Sequence, residues 1–176
     1  MNILICGDSF SYGNKGWVKS IKGDVTNRSE NGVGEYKIFK QTIGHEKFDK
    51  ILICHTSPWR IHTSHHPLHK DNKERPNNDF MLADLDHNQH VLPQISEIYS
   101  HIKKYTDWDY VQFVYELIVD KLLEIPNSVH ITFHEPVDTK KIANNYYDVW
   151  QKHKGNINHL DQIGNEIIAK RIQTVL

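Results

Sequence analysis

Ile3-Leu4-Ile5-Cys6 is an unbroken apolar run that ends at Gly7. A run with no polar alternation suits a strand buried on both faces of a parallel sheet. Ile51-Leu52-Ile53-Cys54 repeats the pattern. Val129-His130-Ile131-Thr132-Phe133 is a third run of this kind, opened by the turn residues Pro126-Asn127-Ser128. Asp24-Val25-Thr26 reads as a fourth, short edge strand. Between these runs the period changes. From Glu35 to Ile43, the residues Ile38, Phe39, Thr42 and Ile43 fall on one side. From Asp109 to Glu124, Val111, Val114, Tyr115, Ile118 and Leu122 form a helical stripe, which Pro126 ends. Asp138-Thr139 is suited to cap a helix running to about Gln151. A last helix is predicted from Leu160 to about Thr174, with Leu160, Ile163, Ile167, Ile168 and Ile172 inward.

Strands alternating with helices predict an α/β fold, a three-layer sandwich doubly wound around a parallel sheet of about four or five strands. The stretch from His62 to about Asn88 breaks that alternation. It is rich in His, Asn, Asp and Pro and poor in apolar residues, and reads as a long insertion or lid on the catalytic face. No internal repeat stands out, and residues 1–176 read as one domain.

Composition narrows the partners. Lys and Arg number 21 and Asp and Glu 22, a formal charge of -1. That balance gives no electrostatic reason to expect a nucleic acid or an anionic membrane. The 13 histidines make the true charge depend on pH. Cys6 and Cys54 sit in apolar runs, as reduced core thiols do, and form no disulfide framework. Four apolar residues after Met1-Asn2 are too few for a secretory signal, and no apolar run approaches the roughly 20 residues of a membrane span. The expectation is a soluble cytoplasmic protein, made in a bacterium or by a phage inside one.

Candidate chemistry lies at both ends of the chain. Gly7-Asp8-Ser9-Phe10-Ser11-Tyr12-Gly13 follows the first strand directly. Ligands of open α/β sheets bind outside the carboxyl ends of the strands, so a serine there holds its hydroxyl where chemistry is done. An ordinary Gly-Asp-Ser turn is the plainer alternative. Far along the chain, Asn156-Ile157-Asn158-His159-Leu160 precedes the last helix and its Gly164. Such a fold can bring His159 beside the first strand, to take the proton of the serine hydroxyl. Otherwise His159 is a capping or surface residue.

With Asn31-Gly32-Val33-Gly34-Glu35-Tyr36 opening a helix between them, these segments resemble the blocks of the SGNH/GDSL hydrolases, in order and over nearly the whole chain. The resemblance implies that Ser9 attacks an ester carbonyl and that His159 accepts its proton and returns it to the leaving alcohol. It also implies that the backbone N–H groups of Ser9 and Gly32 bind the oxyanion, while Gly34 only permits the turn. Two positions depart from the family pattern. Its third block carries Gly-x-Asn-Asp, whose Asn is a third oxyanion donor. Here the strand ends in His55-Thr56-Ser57-Pro58-Trp59-Arg60, so a hydroxyl of Thr56 or Ser57 is expected instead, Thr56 first. Its last block reads Asp-x-x-His, and the Asp position is Asn156. A Ser-His dyad is then expected, its ring held by Asn156 or a backbone carbonyl. Asp161 lies past His159, on the wrong side for that role.

Arg60 is placed to bind an anionic substrate group such as a sugar-acid carboxylate, unless it is simply solvated. Trp59 suits stacking on a sugar ring or a structural role equally. His62, His65, His66 and His69, with His45 and His55 nearby, raise the question of zinc. Pro67 interrupts the cluster and no Cys joins it, so it reads as a polar surface loop, and no metal or cofactor is implied. The function expected is hydrolysis of an acyl ester or a carbohydrate O-acetyl ester. The alternative is a weak or inactive module of the same fold that binds a glycan or small anionic ligand.

Overall fold

A computed structural model of the chain describes residues 1–69, 77–155 and 159–176. In chain order its elements are β1 (Asn2–Gly7), β2 (Asp24–Asn27), α1 (Glu35–Gln41) and β3 (Lys50–His55). Next come β4 (Arg60–Ile61), β5 (Phe80–Met81), α2 (Leu82–His87), α3 (Pro93–Tyr105) and α4 (Trp108–Leu123). The chain finishes with β6 (Ser128–Thr132), β7 (Asn144–Asn145), α5 (Tyr147–Lys152) and α6 (Gln162–Val175).

The three apolar runs are the three central strands of a five-stranded parallel sheet ordered β2-β1-β3-β6-β7. The runs of β1 and β3 lack polar alternation for a direct reason, because both faces are covered. Ile3 and Ile5 of β1 and Leu52 and Cys54 of β3 pack with Trp17, Val149, Ile168 and Ile172 on the side of α5 and α6. Leu4, Cys6, Ile51 and Ile53 point the other way, to Val33, Ile38 and Leu122 on the side of α1 and α4. The result is a three-layer α/β sandwich of flavodoxin-like strand order. Each fully buried Leu or Ile contributes about 1.5–3 kcal/mol, which is what holds the layers together. The direction of strand addition reverses between β1 and β3, and the crevice at their carboxyl ends is the expected ligand position for this topology.

Three segments differ from the pattern read along the chain. No helix starts at Asp138-Thr139. Turns carry the chain there, with Thr139 Oγ1 donating to Glu135 O and Ile142 N donating to Thr139 O. The short strand β7 then follows. Its Asn144 and Asn145 side-chain amides donate to the carbonyls of His130 and His134, a local alternative to helix that asparagine favours. The helix forms only from Tyr147. α3 was not expected at all. It starts with Pro93 in its first turn and buries Ile95 and Ile102 against Leu85 of α2. The His-rich stretch is partly ordered by the antiparallel pair β4 and β5 and by α2. Its residues 70–76 lie outside the described residues. Among the described residues, no helix is long and apolar enough to cross a membrane.

Candidate active site

Ser9 sits on a tight turn immediately after β1. Ser11 N–H donates to Asp8 O, and Asp8 Oδ1 accepts from Phe10 N–H, so Ser9 and Phe10 occupy the corners. Asp8 is 1% exposed, and its Oδ2 accepts from Thr56 Oγ1 at 2.9 Å, which ties the end of β1 to the end of β3. Gly7 permits the approach: a Cβ there would lie 2.7 Å from Cys54 Cβ. The turn faces a cavity of about 690 Å³ whose wall includes Ser9, Gly32, Ser57, Arg60, Asn78 and His159. Chain segments from five parts of the sequence therefore meet at the switch point of the sheet.

His159 reaches this wall because its loop is pinned. Gly155 N–H donates to His159 O, Asp161 N–H donates to His153 O, and Asp161 Oδ1 caps α6 by accepting from Gly164 N–H at 2.7 Å. Capping is thus what Asp161 does. The His159 ring lies 5.4 Å from the ring of Phe10, the residue next to Ser9. Among the described residues no hydrogen bond joins Ser9 to His159. Asn156, the expected orienting residue, lies outside the described residues.

Two N–H groups expected at an oxyanion, those of Ser9 and Gly32, make no hydrogen bond among the described residues. Gly32 has φ +67°, a backbone conformation in which glycine is favoured. Gly34, by contrast, spends its N–H on Asp79 Oδ2 at 2.6 Å. That leaves Gly32 the better donor of the two.

Thr56, the preferred hydroxyl, does not line the cavity. It is fully buried, and Oγ1 donates to Asp8 and accepts from Arg60 Nε at 3.1 Å. Its role is to bind the turn after β1 to the loop after β3. Ser57 does reach the wall, where its Oγ accepts from Trp59 N–H at 3.3 Å. Arg60 also reaches it. Nη1 donates to Gly32 O at 3.1 Å, and among the described residues its guanidinium has no carboxylate partner.

Asn78 was not singled out in the sequence, yet it lines this wall. It is 9% exposed, and its amide lies over Gly32, so that a Cβ on that glycine would sit 2.5 Å from Oδ1 and 2.7 Å from Nδ2. Oδ1 is buried without a partner, and Nδ2 has no acceptor among the described residues. The next residue, Asp79, anchors the segment. Its N–H donates to Gly32 O, while its carboxylate accepts from Gly34 N–H, Lys37 Nζ and Thr63 N–H at 2.6 to 2.8 Å. The only sequence signal was the Asn77-Asn78-Asp79 triplet inside the His-rich stretch.

Below the wall runs a buried chain of polar groups. Ser128 Oγ donates to Ile125 O at 2.6 Å, so it accepts from His130 Nε2–H at 2.7 Å. Burial, and then the neighbouring His55, push the His130 pKa down to about 3, and the ring is neutral. Its Nδ1 then accepts from His55 Nε2–H at 2.8 Å. One further proton lies between His55 Nδ1 and Glu35 Oε1, 2.6 Å apart, and Glu35 Oε2 accepts from Thr56 N–H. This network fixes the start of the loop that carries Ser57 and Arg60. A further histidine, His134, stands at the cavity wall beside Phe10, with its pKa lowered to about 4, chiefly by burial. The remaining histidines are dispersed: His62 pairs with Asp79 and packs on Tyr36, and His66 packs on His69 and Phe80. Among the described residues, no three His, Cys, Asp or Glu side chains converge as a ligand set. No family model, curated protein or solved structure matches the chain.

Proposed function

We propose that this chain is a serine hydrolase of acyl esters, with Ser9 as nucleophile and His159 as base, as its resemblance to the SGNH/GDSL hydrolases implies. The observation that carries the reading is the convergence of Ser9, His159 and the unengaged N–H of Gly32 on one cavity at the switch point of the sheet. Ser9 Oγ attacks the carbonyl carbon while its proton passes to the imidazole of His159. The N–H groups of Ser9 and Gly32 donate to the oxyanion, and Asn78 Nδ2 adds a third donor from the insertion. Collapse of the tetrahedral intermediate breaks the ester C–O bond, and His159 returns the proton to the departing alkoxide oxygen. Water then attacks the acyl-serine along the reverse path and releases the acid. Preorganised donors of this kind supply a large part of the barrier reduction.

Trp59 and Tyr147 with the carboxylates of Glu135 and Asp138 around the same cavity suit a sugar as the alcohol part, since aromatic faces stack on sugar rings and carboxylates bind hydroxyls. Turnover of p-nitrophenyl acetate and of acetylated oligosaccharides tests the reading. Activity lost in both Ser9→Ala and His159→Ala supports it, and equal activity in the wild type and Ser9→Ala overturns it. A second reading, a glycan-binding module without catalysis, is favoured by the missing hydrogen bond between Ser9 and His159. It predicts oligosaccharide binding without acid release.

A further inference from the structure

α4 carries two apolar stripes, and only one of them is buried. Tyr115, Val119 and Leu122 face the interior. Tyr110, Phe113, Val114 and Leu117 recur at the spacing i, i+3, i+4, i+7 and form a second stripe on the outer side of the helix. In it, Tyr110, Phe113 and Leu117 are 63%, 58% and 48% exposed. Beside it on the same face, Tyr36 and Phe39 of α1 and Ile43 just past its end are 44%, 38% and 68% exposed. A groove of about 290 Å³ separates the two rows, with Val111, Val114 and Ile118 in its wall. Side chains of this size together expose roughly 500–700 Å² of apolar surface, at the upper end for the largest patch of a monomer. A stable pair of proteins buries about 800 Å² on each partner, so the patch provides most of that area.

The two margins of this face carry opposite charge. Along the outer edge of α1, Arg28 and Lys40 have no carboxylate partner among the described residues, Lys37 is neutralised by Asp79, and Glu30 is the acid in the same wall. Along the outer edge of α4, Asp109, Glu116 and Asp120 recur at i, i+7, i+11, and among the described residues only Lys141 offsets them. Exposed rings beside an apolar groove, between a basic and an acidic margin, make a surface complementary to itself. We propose that it docks a second copy of this chain. A two-fold axis lying in the interface and running along the groove sets α1 of each copy over α4 of the other, with the basic margin on the acidic one. Among the described residues, none in the wall of the Ser9 cavity comes from α1 or α4, so the dimer leaves that cavity open and does not depend on the hydrolase reading.

Sedimentation velocity from low to high micromolar concentration tests the proposal. The wild type is expected to form a species of twice the 20.7 kDa chain mass. Phe113→Glu and Leu117→Glu keep the circular dichroism of the wild type, because both side chains are exposed, and raise the dissociation constant by at least about a hundredfold. Lys40→Glu and Glu116→Lys each weaken the dimer by roughly three- to thirtyfold at low salt, and the double charge reversal restores it. A wild type that stays monomeric throughout overturns the proposal. If that monomer floats with phosphatidylcholine vesicles, the face belongs to a lipid surface instead. A dimer of wild-type strength in both glutamate variants overturns it too. Loss in those variants with no recovery in the double charge reversal overturns the placement of α1 over α4.

Discussion

Replacing Gly32 with alanine perturbs the proposed oxyanion wall twice over. The backbone there has φ +67°, and an L-residue in the left-handed region costs roughly 1–2 kcal/mol. The new Cβ would lie 2.5 to 2.7 Å from the Asn78 amide, well inside contact distance. Asn78 cannot retreat freely, because Asp79 beside it is hydrogen-bonded to Gly32 O, Gly34 N–H, Lys37 and Thr63. Overpacking of this kind costs roughly 1–3 kcal/mol. The sum, roughly 2–5 kcal/mol, lowers the melting temperature by roughly 4–20 °C for a chain of this size. Displacing an oxyanion donor lowers kcat by about 100- to 1000-fold. Thermal unfolding and p-nitrophenyl ester turnover of Gly32→Ala, Asn78→Ala and the double variant measure both effects. Asn78→Ala alone reduces turnover by the same factor with little loss of stability, since among the described residues its buried Oδ1 has no partner to lose. Removing the amide also clears the space the Cβ needs. The double variant is therefore more stable than the sum of the single effects by roughly 1–3 kcal/mol, and its turnover matches the lower single variant within about twofold. Additive stabilities, or wild-type turnover in Asn78→Ala, would refute the assignment of Asn78 to the oxyanion wall.

Two further outcomes concern the buried polar groups. His55→Leu leaves Glu35 buried without its partner and destabilises the fold by roughly 3–5 kcal/mol in urea titrations; a loss under about 1 kcal/mol would show that the pair carries no structural load. The pKa values of His130 and His134 are lowered in the fold to about 3 and about 4 from an ordinary 6.5. Below pH 6.5 the unfolded chain therefore binds protons that the folded chain refuses. Stability is complete above about pH 6.5 and falls on acidification to about pH 4, by roughly 1.4 kcal/mol per pH unit for each histidine. Replacing His130 with Asn should reduce that slope, and an unchanged slope would contradict the neutral ring.

The sheet was legible because β1 and β3 are buried in apolar clusters on both faces, and continuous apolar runs are the direct consequence, while β6 shows its one apolar face as Val129, Ile131 and Phe133. α4 was legible from its stripe, of which Tyr115 and Leu122 are buried; Val119, outside that stripe, is buried with them. β7 was not, because two asparagines make a strand too short for any periodicity and act through their side-chain amides. α3 went unread although Ile95, Ile98 and Ile102 carry a helical spacing; its burial depends on Leu85 and Phe80 in the polar insertion, which looked unable to cover it. Ser9, Gly32 and His159, which line one cavity, stand in short motifs that each end or begin an element. Asn78 belongs to no such motif, and reaches Gly32 only because Asp79 fastens the insertion to the loop before α1. Thr56 was misjudged for a similar reason. Adjacent residues leaving a strand point to opposite sides, and it is Ser57 that faces the cavity.

Intact-mass analysis after treatment with a fluorophosphonate tests the central claim most directly. An activated Ser9 gives a single covalent adduct in the wild type, none in Ser9→Ala, and a much slower one in His159→Gln. An unlabelled but folded wild-type protein, or an adduct that persists in Ser9→Ala, would contradict the assignment of Ser9 as the nucleophile.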